Sequence, residues 1–179
     1  MESSPFHSAC HDISSDRTIG LIMAVLESGH SVELPATGYS MFPTLKPGDS
    51  VVVRPLAKEE LPMLGNVVVC LVDGARVQGC NGVTIQTDNK SLVMHRLIEI
   101  TEGNDGESLF ITRGDSVKEP DKPWAQQQLL GLAKSYKRGK KDHSIKTFTP
   151  GAWRYLYNHR LLWMYNKIMR LTRGLMDDS

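Results

Sequence analysis

Two runs of three consecutive valines, in "DSVVVRPL" (49–56) and "GNVVVCLV" (65–72), constrain this chain more than any other feature. Residues branched at Cβ are stiff at χ1 and fit a pleated, half-buried surface better than a helix. Each run follows a glycine-containing turn, at Gly48 or Gly65, so each reads as a strand with a defined start. The flanking sequence repeats this grammar. "SVELPATG" alternates at Val32 and Leu34, and "SLVMHRLIEIT" and "SLFITRGD" are two strands joined by a Gly-Asn-Asp-Gly hairpin signal at 103–106. "ARVQGCNGVTIQTDNK" is a looser section of short strands, and "SVKEPDKPW" is a loop because its two prolines exclude sheet pairing. "QLLGLAKSYKRGKK" is a last strand that runs into a basic linker. A helix is expected from about Arg17 to Ser28, capped at Ser15 or Asp16 and ended by Gly29. Many short strands with little helix between them predict a mainly β, antiparallel fold with an N-terminal helix.

A chain of 179 residues holds one core rather than two. The expected organisation is a loose N-terminus at 1–15, a β domain at 16–138, a basic linker at 139–149 and a helical tail at 150–176. The formal net charge of +1 gives no global attraction for nucleic acid. Bases are nevertheless concentrated from Lys134 to Arg173, where only Asp142 interrupts them. Cys10, Cys70 and Cys80 are too few and too scattered for a disulfide framework, which favours a reducing compartment. No metal-ligand spacing occurs; His7, Cys10 and His11 in "HSACH" read as part of a loose terminus. "IGLIMAVLESGHSVELP" is interrupted by Glu27 and His30 and falls short of the roughly 20 apolar residues a span requires. The N-terminus has no basic segment of the secretory kind. The expectation is a cytoplasmic protein with neither a transmembrane segment nor a signal peptide.

Chemistry-bearing residues fall at strand ends and in sharp turns. Ser40 lies in "TGYSMFPTLKPGD", framed by Tyr39, Met41, Phe42 and Pro43 as an ordinary turn serine has no need to be. Serine is a weak nucleophile until a base takes its proton, and that base must itself be oriented. His95 lies in "LVMHRLI" on the same strand face as Val93 and Leu97, Asp115 follows Arg113-Gly114, and Asp121 follows Pro120. Taken singly, each has an ordinary structural explanation: a packed histidine, a turn aspartate, a loop aspartate.

Together, "GYSMFPTLKPGDSVVV", "VMHRLIEI" and "FITRGDSVKEPD" resemble, in order and spacing, the serine, histidine and aspartate boxes of the signal peptidase I family. The similarity covers about residues 30 to 136 and is to the variant in which histidine replaces the general-base lysine. The resemblance implies a signal-peptidase-like antiparallel β fold, shared with LexA-like repressors, and serine endopeptidase activity without a metal or organic cofactor. It makes Ser40 the acylating nucleophile and His95 the general base. Asp115 or Asp121 would orient the imidazole, with Asp115 preferred because a strand end is the more rigid mount. Met41, Phe42 and Pro43 would underlie the substrate groove. A histidine base suits the pattern, because imidazole titrates at about 6.5 without burial, whereas a lysine must be desolvated. The implied substrate is a peptide or preprotein, bound by β-strand addition and cut after a small residue.

Two departures stand out. The family usually carries a hydroxyl residue two before the nucleophile; here that position is Gly38, with Thr37 displaced by one, so the second oxyanion donor is left unassigned beside the Ser40 amide. The family also carries a membrane anchor. In its place the tail "PGAWRYLYNHRLLWMYNKIMRLTRGL" puts Trp153, Tyr157, Leu161, Met164, Ile168, Leu171 and Leu175 on one helical face and His159, Arg160, Asn166, Lys167, Arg170 and Arg173 on the other. Such a helix either docks its apolar stripe on the domain or a partner, or lies on a membrane surface. "G-Y-S-M" also resembles LexA-like self-cleaving repressors, but those use lysine, and about thirty residues before the boxes are too few for a winged helix. A peptide-binding module that kept the groove without catalysis is the other alternative.

Overall fold

The computed structural model describes residues 16–57, 59–72, 76–78, 84–86, 90–148 and 152–174. Ser15, the alternative cap of the first helix, lies outside the described residues, as do His7, Cys10, His11 and Cys80. The helix, α1 (Asp16–Glu27), ends where Gly29 takes φ +85° and its N–H bonds to Leu26 O at 2.9 Å, a conformation that glycine adopts at no steric cost. Ten strands follow. They are β1 (Val32–Pro35), β2 (Ser50–Pro55), β3 (Val67–Val72), β4 (Arg76–Gln78), β5 (Thr84–Gln86), β6 (Ser91–Glu102), β7 (Ser108–Arg113), β8 (Trp124–Ala125), β9 (Leu129–Arg138) and β10 (Lys141–Ser144). The second helix, α2 (Ala152–Gly174), closes the described chain.

The expected class is the one observed: an eight-stranded antiparallel sheet with a helix at each end. Its order is β1-β2-β9-β3-β6-β7-β8, with β10 also paired to β9, and β4 pairs with β5 as a separate ribbon. The valine runs decide where this sheet is thickest. Val67 and Val69 of β3 enter one core cluster with Ile22 and Leu26 of α1, Leu34, Val51 and Val53. Val68 and Cys70 point to the other face, into a cluster with Leu97, Phe110, Trp124 and Leu132. Burial on both faces is why "VVVCLV" shows no polar alternation. It also pushes the Cys70 thiol pKa up, since a thiolate there would be desolvated.

The β6–β7 hairpin closes at 103–106, where the Gly103 N–H bonds to Glu107 O at 2.7 Å and Gly106 takes φ +75°. One expectation fails. The stretch 139–149 is not a plain linker, because Gly139, at φ +61°, turns the chain so that β10 pairs with β9 from Lys141↔Arg138 to Ser144↔Ser135. A stack of Tyr136 on His143, with centroids 4.9 Å apart, supports that hairpin. Its density of basic residues disguised a strand. Among the described residues no helix is long and apolar enough to cross a membrane.

Candidate active site

The loop from Ala36 to Asp49 is built to hold Ser40 still. Met41 and Leu45, on either side of one helical-type turn (Leu45 N–H to Met41 O, 2.9 Å), are buried in the α1-side core. Asp49 closes the loop by accepting from the Lys46 amide at 2.8 Å and pairing with Arg138 through two bonds of 2.7 and 2.8 Å. Burial works to raise the Asp49 carboxyl; the guanidinium and the amide outweigh it and hold the group below the usual carboxylate range. The Phe42–Pro43 peptide is cis.

The turn after β7 grips the loop from the other side. The Ser116 amide donates to Ser40 O at 2.9 Å, and the Ser116 hydroxyl lies 2.7 Å from Tyr39 O and 3.0 Å from Ser40 O. Gly114 is packed so closely that a Cβ there would stand 2.6 Å from Ser40 O and 3.0 Å from Ser40 Cβ. The backbone of the serine is therefore fixed from both ends.

His95 sits in the middle of β6, opposite Val68 of β3. On the other edge of β6, β7 pairs only from Arg96 onward, so Ser91 to His95 form a strand edge without a β7 partner. The ring Nδ1 lies 2.6 Å from Asp121 Oδ2, with both side chains largely buried. An ionised carboxylate only accepts hydrogen bonds, so the pair assigns the Nδ1 proton and leaves Nε2 as the basic nitrogen of the neutral ring. Asp121 is itself held: its amide donates to Thr112 O at 2.8 Å and its Oδ2 accepts from the Thr112 hydroxyl at 2.5 Å. The Trp124 indole N–H donates to that same hydroxyl at 2.8 Å. A chain Trp124–Thr112–Asp121–His95 thus orients the imidazole.

Asp115, the carboxylate the sequence favoured for orienting the imidazole, pairs elsewhere. Its two oxygens accept from Arg96 Nε and Nη2 at 2.7 and 2.8 Å, and Oδ2 also accepts from the Thr44 hydroxyl at 2.5 Å. Arg96 is fully buried, spends its remaining nitrogen on Gly65 O and Lys146 O, and lies 3.9 Å over the Phe148 ring. Bonded to Arg96 through both oxygens and to Thr44 through Oδ2, Asp115 braces the Gly114–Ser116 turn against the serine loop. The physical reason is strand alternation: His95 and Arg96 are neighbours that point to opposite faces of β6, and each takes its own carboxylate.

Ser40 and His95 line one cavity of about 360 Å³, together with Thr37, Gly38 and an apolar wall that includes Leu34, Met41, Leu45, Leu92 and Met94. Its two rims are the stretch running on from the edge strand β1 and the edge of β6 at Ser91–His95, which has no strand partner on that side among the described residues. Of the three residues expected under the groove, only Met41 lines it. Phe42 is buried instead against Tyr165 of α2, with centroids 5.3 Å apart, and Pro43 is not part of the cavity.

The tail therefore belongs to the site's surroundings. Tyr165 also meets Tyr39 at 6.1 Å between centroids, Lys46 Nζ lies 5.5 Å from the Tyr165 ring centre, and the buried Asn158 donates to Asp115 O at 3.0 Å. Asn158 and Tyr165 make the docking contacts; of the expected stripe, Tyr157, Met164 and Ile168 are exposed and Leu161 is half-buried. The side chains of Trp153 and Leu171 are not described, and Leu175 lies outside the described residues. Sequence reasoning passed over Thr112, Ser116, Asn158 and Tyr165 because none carries a recognisable chemical pattern. Among the described residues no group of three or more His, Cys, Asp or Glu side chains is placed to hold a metal ion. No protein-family model and no curated protein matches this chain.

Proposed function

We propose that this protein is a serine endopeptidase in which Ser40 is the nucleophile, His95 the general base and Asp121 the carboxylate that orients it. The observation that carries the reading is the pairing of His95 Nδ1 with Asp121 at 2.6 Å on the wall of the cavity that Ser40 also lines. A peptide laid along the Ser91–His95 edge of β6 would form main-chain hydrogen bonds there and send apolar side chains into the cavity. The resemblance to signal peptidases adds a preference for a small residue before the scissile bond.

The Ser40 hydroxyl attacks the scissile carbonyl as its proton passes to His95 Nε2, and Asp121 stabilises the imidazolium that forms. We assign the Ser40 amide as the donor to the developing oxyanion, a contribution of about 3 kcal/mol of barrier in comparable sites. The tetrahedral intermediate collapses with cleavage of the C–N bond, and the proton held on His95 passes to the leaving amine. Water then attacks the acyl ester with His95 again as base, which frees the acid and restores the serine. Ser116, Gly114 and Met41 hold the loop that carries the nucleophile.

A peptide-library cleavage profile tests the reading, with wild type compared to Ser40→Ala and His95→Ala. Cleavage by wild type alone is the expected result. Equal cleavage by the two variants removes the mechanism, and binding without cleavage by any of the three replaces it with a peptide-binding module.

A further inference from the structure

The docking of α2 leaves its outward face exposed among the described residues. Tyr157, Trp163, Met164 and Ile168 are each more than half exposed. Arg160, Lys167 and Arg170 are exposed between them, with Lys167 Nζ 5.2 Å from the Trp163 ring centre. From His143 to Met176 the sequence contains no Asp or Glu. A second apolar group lies beside the approach to this helix: Leu61, Met63 and Leu64 are exposed on the loop before β3. That loop is tied to the segment leading into α2, through Asn66 Nδ2 to Thr147 Oγ1 at 3.1 Å and through Gly65 packed on the Phe148 backbone.

We propose that this outward face docks on an anionic lipid surface, with α2 lying in the interface plane while its inner face stays on the serine loop. Three kinds of group argue for lipid over other occupants. Tryptophan and tyrosine favour the headgroup level, where one end of the ring is apolar and the other wet. Met164, Ile168, Leu61 and Met63 require an apolar phase, which a nucleic acid backbone does not provide. The cations require an anionic counterpart, and a second copy of the same face would set like charges against like. A helix of this kind binds by apolar insertion plus attraction to anionic headgroups, so both contributions are separable by experiment.

The test is cosedimentation of the full chain with phosphatidylcholine vesicles, with and without phosphatidylserine, at low and at moderate salt. Wild type is expected to partition onto the phosphatidylserine vesicles and to weaken as salt rises. Each exposed cation neutralised should cost about fivefold, so Arg160→Gln with Lys167→Gln should bind roughly thirtyfold more weakly. Met63→Ser should weaken binding without changing its salt dependence. A blue shift of tryptophan emission on vesicle addition should disappear in Trp163→Phe. Failure of wild type to partition onto anionic vesicles overturns the proposal, as does equal binding by the charge variant. Tighter capture by a single-stranded oligonucleotide, or a concentration-dependent dimer lost in the charge variant, assigns the face to another occupant and also overturns it. Peptide cleavage plays no part in these readouts.

Discussion

Replacing Gly114 by alanine places a methyl group where the structure has no room for one. The new Cβ would stand 2.6 Å from Ser40 O, 2.7 Å from Val117 Cγ2 and 3.0 Å from Ser40 Cβ, of which the first and third belong to the serine itself. Non-bonded carbon contacts are comfortable at about 3.5–4.0 Å, so the serine backbone has to retreat by a sizeable fraction of an ångström. Retreat stretches the bonds that Ser116 makes to Ser40 O at 2.9 and 3.0 Å. Overpacking costs about 1–3 kcal/mol, which for a chain of this size lowers Tm by about 2–4 °C per kcal/mol. Misplacing a nucleophile by about 1 Å costs on the order of 100-fold in rate. Gly114→Ala is therefore expected to lower both Tm and kcat on a cleaved peptide. Gly20→Ala supplies the control, because nothing lies within 4 Å of its Cβ position on an exposed turn of α1. That substitution should stabilise by about 0.5–1 kcal/mol and leave kcat alone. If Gly114→Ala matched Gly20→Ala in both measurements, the close approach of the turn to the serine would be refuted, and with it the account of how the nucleophile is held.

The two aspartates should separate cleanly. Asp121→Asn keeps the shape but loses control of the His95 tautomer, so kcat should fall by about 10⁴ as in comparable triads, with little change in Tm. Asp115→Asn leaves Arg96 buried without its ionic partner and should cost about 3–5 kcal/mol in denaturant unfolding. Asn158→Leu strips the buried Asp115 carbonyl of its donor and should destabilise by about 1–3 kcal/mol, whereas an unchanged unfolding midpoint would mean α2 is not seated on the turn. Tyr165→Ala removes the ring against Phe42 and should lower stability by at least about 0.5–1.5 kcal/mol. The Glu60 carboxyl, held down to about 2 first by its hydrogen bond to Arg54, should titrate there by NMR and return toward 4.5 in Arg54→Gln. Because its folded pKa is depressed, the stability it contributes is present above about 4.5 and is lost as pH falls through about 2.

Much of the fold is local and was legible in the residues. The valine runs specify strands because branching at Cβ restricts χ1, and Gly29 and Gly106 mark an ending and a turn because each adopts a positive φ. Ser40 and His95 stood out as candidates because a framed serine and a strand histidine carry chemical types, and three boxes in order narrowed the choice. What those residues do to one another was not local. Asp115 and Asp121 are six positions apart, beside the same strand, and either is within reach of the residue pair His95-Arg96. Only the pleat decides: it turns the imidazole toward the Thr112 face and the guanidinium toward Gly65 and Lys146, so each carboxylate meets a different partner. The tail follows the same rule. Helical periodicity offered two faces of mixed character, and the one that docks was chosen by the shape of Tyr39, Phe42 and the Asp115 turn, which form a surface only after the sheet has brought them together.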